Sequence, residues 1–475
     1  MSGRPRVVAG VSLLVGLAWT TLGASLSWPA LLLSVIPGSV LVAAGGSESL
    51  WPGDVRPHQF AAAAALLGCA LSVLGLPFLG VEAAGFFFAA SLVLYLLTGW
   101  SALGRMGEIV GVPRARPGLL LWARAAFDEV LMASLHLRFS FPEDPTHIAR
   151  LGDDLDQVLG LGSESAWEAA PASYHQLPGP PEQPELRPAK TLGREYEHLQ
   201  FDSGFRLRAG EPARPGFRSA DADPEGERAA ASANDRAHAW VLRHEEAERP
   251  WIIAINGYRM GQASRDLSVF PPRLYHQQLG LNMAIFVLPL HGPRTLGRLS
   301  GDGFMDGDPL VVRYAQAQAV WDLRRLIAWI RGLGGDRIGV MGISLGGYTA
   351  ALLAGLESLD FVIAGTPATD LERLHRHHGP PALLRHLEAV GLTAERVERV
   401  LRPVAPLSLP LRVPHEARFI YAGVADGVVP PDQFRDLCAH WEQPRMVWLN
   451  GGHIAWGGEI TRGIRDTLRE AKILL

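Results

Sequence analysis

The chain has 475 residues, which is enough for two or three structural units, and its formal net charge is −4. This balance gives no indication that nucleic acid is a partner. The two cysteines, Cys69 and Cys438, show no spacing pattern, which argues against a disulfide framework and against a metal site built on thiolates.

The first hundred residues carry almost no charge, and their apolar runs have the length of membrane helices. Residues 7–47 contain no charged side chain and can form two spans of about 20 residues, with a turn near residues 23–28. Residues 60–79 and 83–103 are two further uncharged runs. We therefore predict that residues 1–104 form a transmembrane region of about four helices.

Two other interpretations of this region remain open. The helices could belong to a soluble core, although four successive soluble helices without a charged face would be unusual. Alternatively, Arg4 and Arg6 precede an apolar run that ends in small residues, as in a cleaved signal peptide.

Basic residues at both ends of the spans predict the orientation. They are Arg4 and Arg6 before the first span and Arg105, Arg114, Arg116 and Arg124 after the last. An even number of spans places both ends on the same side, so we predict that both termini and the C-terminal domain are cytoplasmic. Cleavage of the first span would leave the C-terminal domain on that side.

Residues 105–190 are predicted to connect this region to a soluble domain. Residues 117–137 form an amphipathic segment, which could lie along the membrane surface or pack on the soluble domain. Residues 163–190 are crowded with Pro, Glu and Gly, which predicts a linker with little regular structure.

Residues 191–475 alternate between short apolar runs typical of strands and longer helical stretches. The predicted strands are residues 196–202, 237–243, 251–255, 283–288, 337–341, 361–364, 419–422 and 446–449. The clearest helix is predicted over residues 314–332. This alternation predicts the α/β class, with an open, mostly parallel sheet covered by helices on both faces.

The motif Gly342-Ile343-Ser344-Leu345-Gly346 stands between a predicted strand and a predicted helix. This is the G-x-S-x-G pattern, in which a serine occupies a sharp turn whose neighbours must lack side chains. The chain here resembles the α/β-hydrolase superfamily, which implies an α/β-hydrolase fold with Ser344 as nucleophile. The alternative is an ordinary turn serine.

The resemblance also implies a base after the last strand and an acid after the seventh. His453, in a Gly-rich loop, and Asp426, in a Gly-x-x-Asp-x-x-x-Pro turn, stand in these places, and the order Ser, Asp, His is that of the superfamily. Asp370 is the rival acid and His291 a rival histidine. A turn-capping aspartate and a loop histidine are the structural alternatives.

The same resemblance implies an oxyanion hole made of backbone N–H groups. Leu345 follows the nucleophile, and Tyr258 lies in the loop after the third predicted strand. Many superfamily members have His-Gly in that loop, whereas this chain has Asn256-Gly257.

Residues 371–414 lie where superfamily members commonly insert a cap. His375, His377 and His378 within them suggest a metal site, but no carboxylates stand at ligand spacing, and a solvated helix end is the preferred interpretation. We predict no metal and no cofactor.

The sequence thus predicts a membrane-anchored serine hydrolase that cleaves a carboxylic ester or thioester, with a lipid-like substrate suggested by the anchor. The predicted partners are this small-molecule or lipid ester and the bilayer, whereas the oligomeric state is left open. A peptidase on the same fold is one alternative. The other is a membrane scaffold that uses the hydrolase fold as an interaction module.

Overall fold

The computed structural model describes residues 4–51, 53–136, 145–164, 167, 169–220, 232–246, 248–454 and 456–474. Its buried apolar side chains form two clusters, one among the N-terminal helices and one around a sheet. The chain is therefore built as a helical bundle followed by an α/β domain.

Four helices of the bundle are long and apolar enough to cross a membrane. The bundle consists of α1 (Arg4–Leu26), α2 (Trp28–Leu50), α3 (Arg56–Leu74), the one-turn helix α4 (Leu76–Leu79) and α5 (Val81–Met106). The first two are separated at Ser27, which caps α2 by accepting a hydrogen bond from the Ala30 N–H at 3.2 Å. The helix at the third predicted span ends at Leu74 rather than at residue 79, because Pro77 has no N–H to continue the helix.

The bundle is held by close packing. The rings of Trp19 and Phe87 stack with their centroids 4.1 Å apart, and the Trp19 indole donates to the Ser91 hydroxyl at 3.1 Å. A side chain at Gly16 would contact the backbone of Gly38 and Val42, so glycine lets α1 and α2 approach closely.

Helix α6 (Leu119–His136) connects the bundle to the α/β domain. The Tyr95 hydroxyl of α5 donates to the Ala123 carbonyl at 2.9 Å, and Arg105 pairs with Glu129. The segment predicted to lie at the membrane surface or on the soluble domain is thus a helix that packs against the bundle and also contacts the α/β domain. Helix α7 (Pro145–Glu164) then contributes to the core around the sheet.

The sheet begins earlier than the domain boundary predicted at residue 191. The stretch predicted to be a linker contains β1 (Glu185–Thr191), which pairs antiparallel with β2 only. As an edge strand, β1 can accommodate Pro188, which lacks an N–H.

Eight further strands confirm the predicted set, with bounds that differ from the predicted ones by at most two residues. They are β2 (Arg194–Asp202), β3 (Arg236–Leu242), β4 (Trp251–Ile255), β5 (Asn282–Val287), β6 (Ile338–Ile343), β7 (Val362–Gly365), β8 (Arg418–Gly423) and β9 (Arg445–Leu449). The order is β1-β2-β3-β5-β4-β6-β7-β8-β9, antiparallel from β1 to β5 and parallel from β5 to β9.

The helices of this domain are α8 (Ala263–Val269), α9 (Pro309–Gly332), α10 (Leu345–Ala354), α11 (Leu371–His378), α12 (Pro381–Ala389), α13 (Ala394–Leu401), α14 (Pro431–His440) and α15 (Gly458–Glu470). Helices α11 to α13 fill the insertion predicted at residues 371–414. Together with the mostly parallel sheet, they confirm the predicted α/β-hydrolase fold. The carboxyl ends of β4, β6, β8 and β9 carry the loops described next.

Candidate active site

Ser344 stands alone between the end of β6 and the first residue of α10. Its φ of 57° and ψ of −117° lie in a region that residues with a side chain rarely adopt. The turn is held by the Ser344 N–H, which donates to the Gly365 carbonyl at 2.9 Å. The sequence motif therefore forms the sharp strand-to-helix turn that presents a serine hydroxyl.

The two motif glycines are required by the backbone packing around this turn. A Cβ at Gly342 would overlap the carbonyl group of Gly346, and a Cβ at Gly346 would overlap the carbonyl of Ile255 on β4. A side chain at either place would push the start of α10 away from the ends of β6 and β4.

Asp426 and His453 are brought together from the loops after β8 and β9. The Asp426 Oδ2 lies 2.8 Å from the His453 Nδ1. The Oδ1 accepts from the N–H groups of Val428 at 2.9 Å and Val429 at 2.8 Å, and the Asp426 side chain is fully buried. This pairing assigns the proton to Nδ1 and leaves Nε2 of the imidazole as an acceptor.

A second carboxylate, which the sequence analysis did not identify, reaches the same loops from α6. The Asp128 Oδ2 accepts from the N–H of Gly427 and from the N–H of His453, both at 2.9 Å, and Asp128 is 1% exposed. In the sequence, Asp128 is one acidic residue of an amphipathic segment and carries no motif.

The surroundings of the imidazole favour its charged form. Burial by itself would lower the pKa of His453, but the carboxylates of Asp426 and Asp128 outweigh it, so the pKa is raised. Burial also raises the pKa of Asp128, and the nearby Asp426 raises it further, whereas His453 and the two N–H donors act in the opposite direction.

Ser344 lies where two apolar cavities meet. The larger, of about 510 Å³, is lined by Leu274, Ile460 and His453 among others. The smaller, of about 80 Å³, is lined on the cap side by His375. Helix α6 contributes to both cavities, and its Leu135 lines each of them.

Ser344 and His453 thus face the same cavity. Among the described residues, the Ser344 hydroxyl makes no hydrogen bond with the His453 ring. Such bonds are often long in ligand-free sites and tighten when substrate binds.

The two backbone N–H groups predicted for an oxyanion hole have no acceptor in the part of the chain that the structure describes. Leu345 is the first residue of α10, whose N–H has no partner within the helix. Tyr258 lines both cavities beside Ser344. Asn256 has a structural role, because its Oδ1 accepts from the Leu288 N–H at 2.8 Å.

The rival residues are engaged elsewhere. The Asp370 side chain caps α11 by accepting from the Arg373 N–H at 2.9 Å. His291 is completely buried, with its Nδ1 2.8 Å from the Pro289 carbonyl.

The predicted solvated helix end is wrong for two of the three clustered histidines. His375 and His378 line the smaller cavity, and the His378 Nε2 donates to the Val428 carbonyl at 2.7 Å, whereas His377 is exposed. No group of three or more His, Cys, Asp or Glu side chains suited to a metal ion occurs among the described residues.

Comparison with known proteins gives relatives in sequence and in fold, and no family model matches the chain. The uncharacterized proteins MT2702 and Rv2627c, from two strains of Mycobacterium tuberculosis, are each 37% identical over 392 residues, which cover 80% of this chain and 89% of each relative.

Solved structures that resemble the chain are much more distant in sequence. An acetyl xylan esterase from Paenibacillus sp. R4 is 15% identical, with 71% of this chain and 96% of the esterase covered and a TM-score of 0.42. A lipase/esterase from Lactobacillus plantarum is 15% identical, with 62% and 100% covered and a TM-score of 0.33. At this identity the likeness concerns the fold alone.

Proposed function

The chain belongs to the same protein family as the two Mycobacterium tuberculosis proteins, and we propose that it is a membrane-anchored serine hydrolase that cleaves a carboxylic ester or thioester through an acyl-enzyme on Ser344. The observation that carries the proposal is the strained turn at Ser344 beside an imidazole whose Nδ1 is held by a buried carboxylate.

In the proposed reaction, the His453 Nε2 accepts the proton of the Ser344 hydroxyl as its oxygen attacks the substrate carbonyl. Asp426 holds the imidazole and stabilises its protonated form. The N–H groups of Leu345 and Tyr258 bind the oxygen that becomes negative. His453 then gives the proton to the leaving alcohol or thiol, and water releases the acyl group by the same steps in reverse order.

A lipid-like substrate is supported by the lining of the larger cavity. Its walls are mainly aliphatic and aromatic side chains, and at about 510 Å³ it has room for an extended acyl chain beside Ser344. Leu131 of α6 forms part of that wall, so the cavity is bordered by the helix that packs on the bundle.

A fluorophosphonate probe on the full-length protein in detergent tests the mechanism. We expect one labelled site, which peptide mass analysis assigns to Ser344, and no label on heat-unfolded protein, because only the folded site activates the hydroxyl. A folded protein that leaves Ser344 unlabelled at neutral pH would rule out the acyl-enzyme.

The rate of hydrolysis should increase with acyl-chain length. Each buried methylene contributes about 0.8 kcal/mol, which corresponds to about fourfold in kcat/KM until the cavity is full. A series of p-nitrophenyl esters from acetate to laurate measures this dependence. If acetate is cleaved as fast as the longer esters, the cavity does not bind the acyl chain.

As the pH falls, the activity should be lost at a higher pH than it would be with an ordinary histidine as the base. The imidazole must be neutral to accept the serine proton, and its pKa is raised, so it stays protonated to a higher pH. We expect the acidic limb of the kcat/KM profile above the unperturbed histidine value of about 6.5. A limb at or below that value would show that the two carboxylates do not act on His453 as the geometry indicates.

We also propose that the four helices span the membrane and that the hydrolase domain is cytoplasmic, since basic residues flank both ends of an even number of spans. Protease added to sealed, right-side-out membrane vesicles should leave the domain intact until detergent is added. Digestion without detergent would place the domain on the other side.

A further inference from the structure

We propose that Asp128 is a positioning residue of the active site, whose carboxylate ties the loop that carries Asp426 to the loop that carries His453. The inference rests on the proposed function. In this proposal, α6 packs on the membrane helices and also positions the active site of the hydrolase, so it does more than connect two parts of the chain.

The hydrogen bonds of Asp128 join the two loops. A single oxygen of Asp128 accepts from the N–H of His453 itself and from the N–H of Gly427, the residue that follows Asp426. The carboxylate therefore holds the backbone of the loop that carries Asp426 and the backbone of the loop that carries His453. Burial and the nearby Asp426 raise the pKa of Asp128 to about 7, so both forms of the carboxyl group occur near neutral pH, and the ionised form makes the stronger hydrogen bonds with the two N–H groups.

The burial of the Asp128 carboxylate has an energetic cost. Asp128 is 1% exposed, and no described cation pairs with it directly. Burying a carboxylate is unfavourable unless hydrogen bonds compensate for the lost hydration. An apolar side chain would fill the same space without that cost, so the acidic group has a role beyond packing.

The loops that carry Asp426 and His453 approach α6 closely. A Cβ at Gly452 would overlap the Asp128 carboxylate, and one at Gly427 would stand 3.2 Å from the Asp128 Cβ. The glycines on either loop thus let the backbone reach the side chain.

Further contacts join the base loop to the same segment of the chain. Asn450 exchanges two hydrogen bonds with the backbone of Arg116, at 2.9 and 3.0 Å, and the Arg124 guanidinium donates to the Asn450 carbonyl at 2.9 Å. Asp128 is therefore the innermost of several contacts that hold the loop of His453 on residues 116–128.

The other side of α6 is fixed to the spans. Gly99 brings the backbone of α5 against the Trp122 carbonyl, and the Tyr95 hydroxyl and the Arg105–Glu129 pair add polar contacts. The position of His453 is thereby linked through one helix to the membrane bundle.

Several described charged and titratable groups lie around Asp128. Asp426 and His453 face it from the two loops, Tyr95 faces it from α5, and Arg124 lies one turn away on α6. Removing the charge of Asp128 should lower the pKa of His453, because this carboxylate contributes to raising it.

Two substitutions distinguish the positioning role of Asp128 from the effect of its negative charge. Asp128→Asn keeps an oxygen that can accept from both N–H groups but removes the negative charge, whereas Asp128→Ala removes both. For Asp128→Ala we expect kcat to fall by about 10²-fold with a small change in KM, since displaced catalytic groups commonly cost this much. For Asp128→Asn we expect most of kcat to remain and the acidic limb of kcat/KM to move to lower pH.

The control is Asp153→Asn, on an exposed position of α7, which should match the wild type in both measurements. Thermal unfolding of each full-length variant in detergent shows whether it is folded. A folded Asp128→Ala enzyme with the kcat and pH profile of the wild type overturns the proposal. If Asp128→Ala does not fold, the Asp128→Asn variant tests the proposal. If kcat and the acidic limb of kcat/KM are both unchanged in that variant, Asp128 is needed only for folding.

The outcome is distinguishable from failure of the proposed function. A wild-type protein that neither hydrolyses esters nor takes the fluorophosphonate would refute the serine hydrolase. An active wild type with equally active Asp128 variants would refute only the positioning role.

Discussion

Replacing Ser344 by alanine should lower kcat for ester hydrolysis by about 10⁴- to 10⁶-fold and abolish fluorophosphonate labelling. The variant loses the proposed nucleophile, and in serine hydrolases the loss of the serine alone costs about as much as the loss of all three triad residues. Kinetics of the detergent-solubilised protein with its best ester substrate provide the measurement. Alanine removes a small, half-buried hydroxyl, so the thermal unfolding midpoint should change little.

The matched control is Ser268→Ala, on an exposed position of α8 outside the cavities, which should leave kcat unchanged.

The Ser344→Ala variant also distinguishes a hydrolase from a membrane scaffold. If a cell carrying Ser344→Ala behaves like the wild type while a deletion does not, the hydrolase fold acts as an interaction module. If peptide amides are cleaved faster than esters, the peptidase alternative is favoured.

The parts of the fold that were predictable depend on local patterns. The central strands are buried on both faces, so their apolar runs stand out, as in β4, which is completely buried. Gly342 and Gly346 mark the nucleophile turn because a side chain at either would collide with backbone. The places of Asp426 and His453 follow from strand order, once the resemblance to the superfamily is recognised.

Strand β1 was not predicted because its composition is not typical of a strand. β1 has Pro188 in its middle and is only partly buried. As an edge strand it needs one partner, so composition does not reveal it. The pairing with β2 determines the strand, and this pairing is a property of the assembled sheet.

The contacts of Asp128 could not be predicted from local sequence patterns, for a different reason. It is separated from Gly427 by 299 positions and from His453 by 325. An acidic residue in an amphipathic segment is expected on the polar face, toward solvent. Here that face meets the loops that carry Asp426 and His453, and only the packing of α6 against the α/β domain reveals the contact.

Replacing Asp426 by asparagine should lower kcat by about 10⁴-fold while leaving the fold intact. The reason lies in the two functions of the carboxylate, whose Oδ1 accepts from Val428 and Val429 while Oδ2 accepts from His453. An asparagine must keep its oxygen toward the two N–H groups, so its NH₂ faces Nδ1. This stabilises the tautomer with the proton on Nε2, which cannot accept the proton of Ser344.

Asp370→Asn is the matched control, because Asp370 is the rival acid and lies after β7 at the same edge of the sheet. Asparagine caps a helix about as well as aspartate, so this variant should retain the wild-type kcat and stability. The comparison needs only kcat, the unfolding midpoint and the pH profile of the two variants. If Asp370→Asn loses activity and Asp426→Asn retains it, the hydrogen bond between Asp426 and His453 is structural, and the proton transfer must be assigned to other residues.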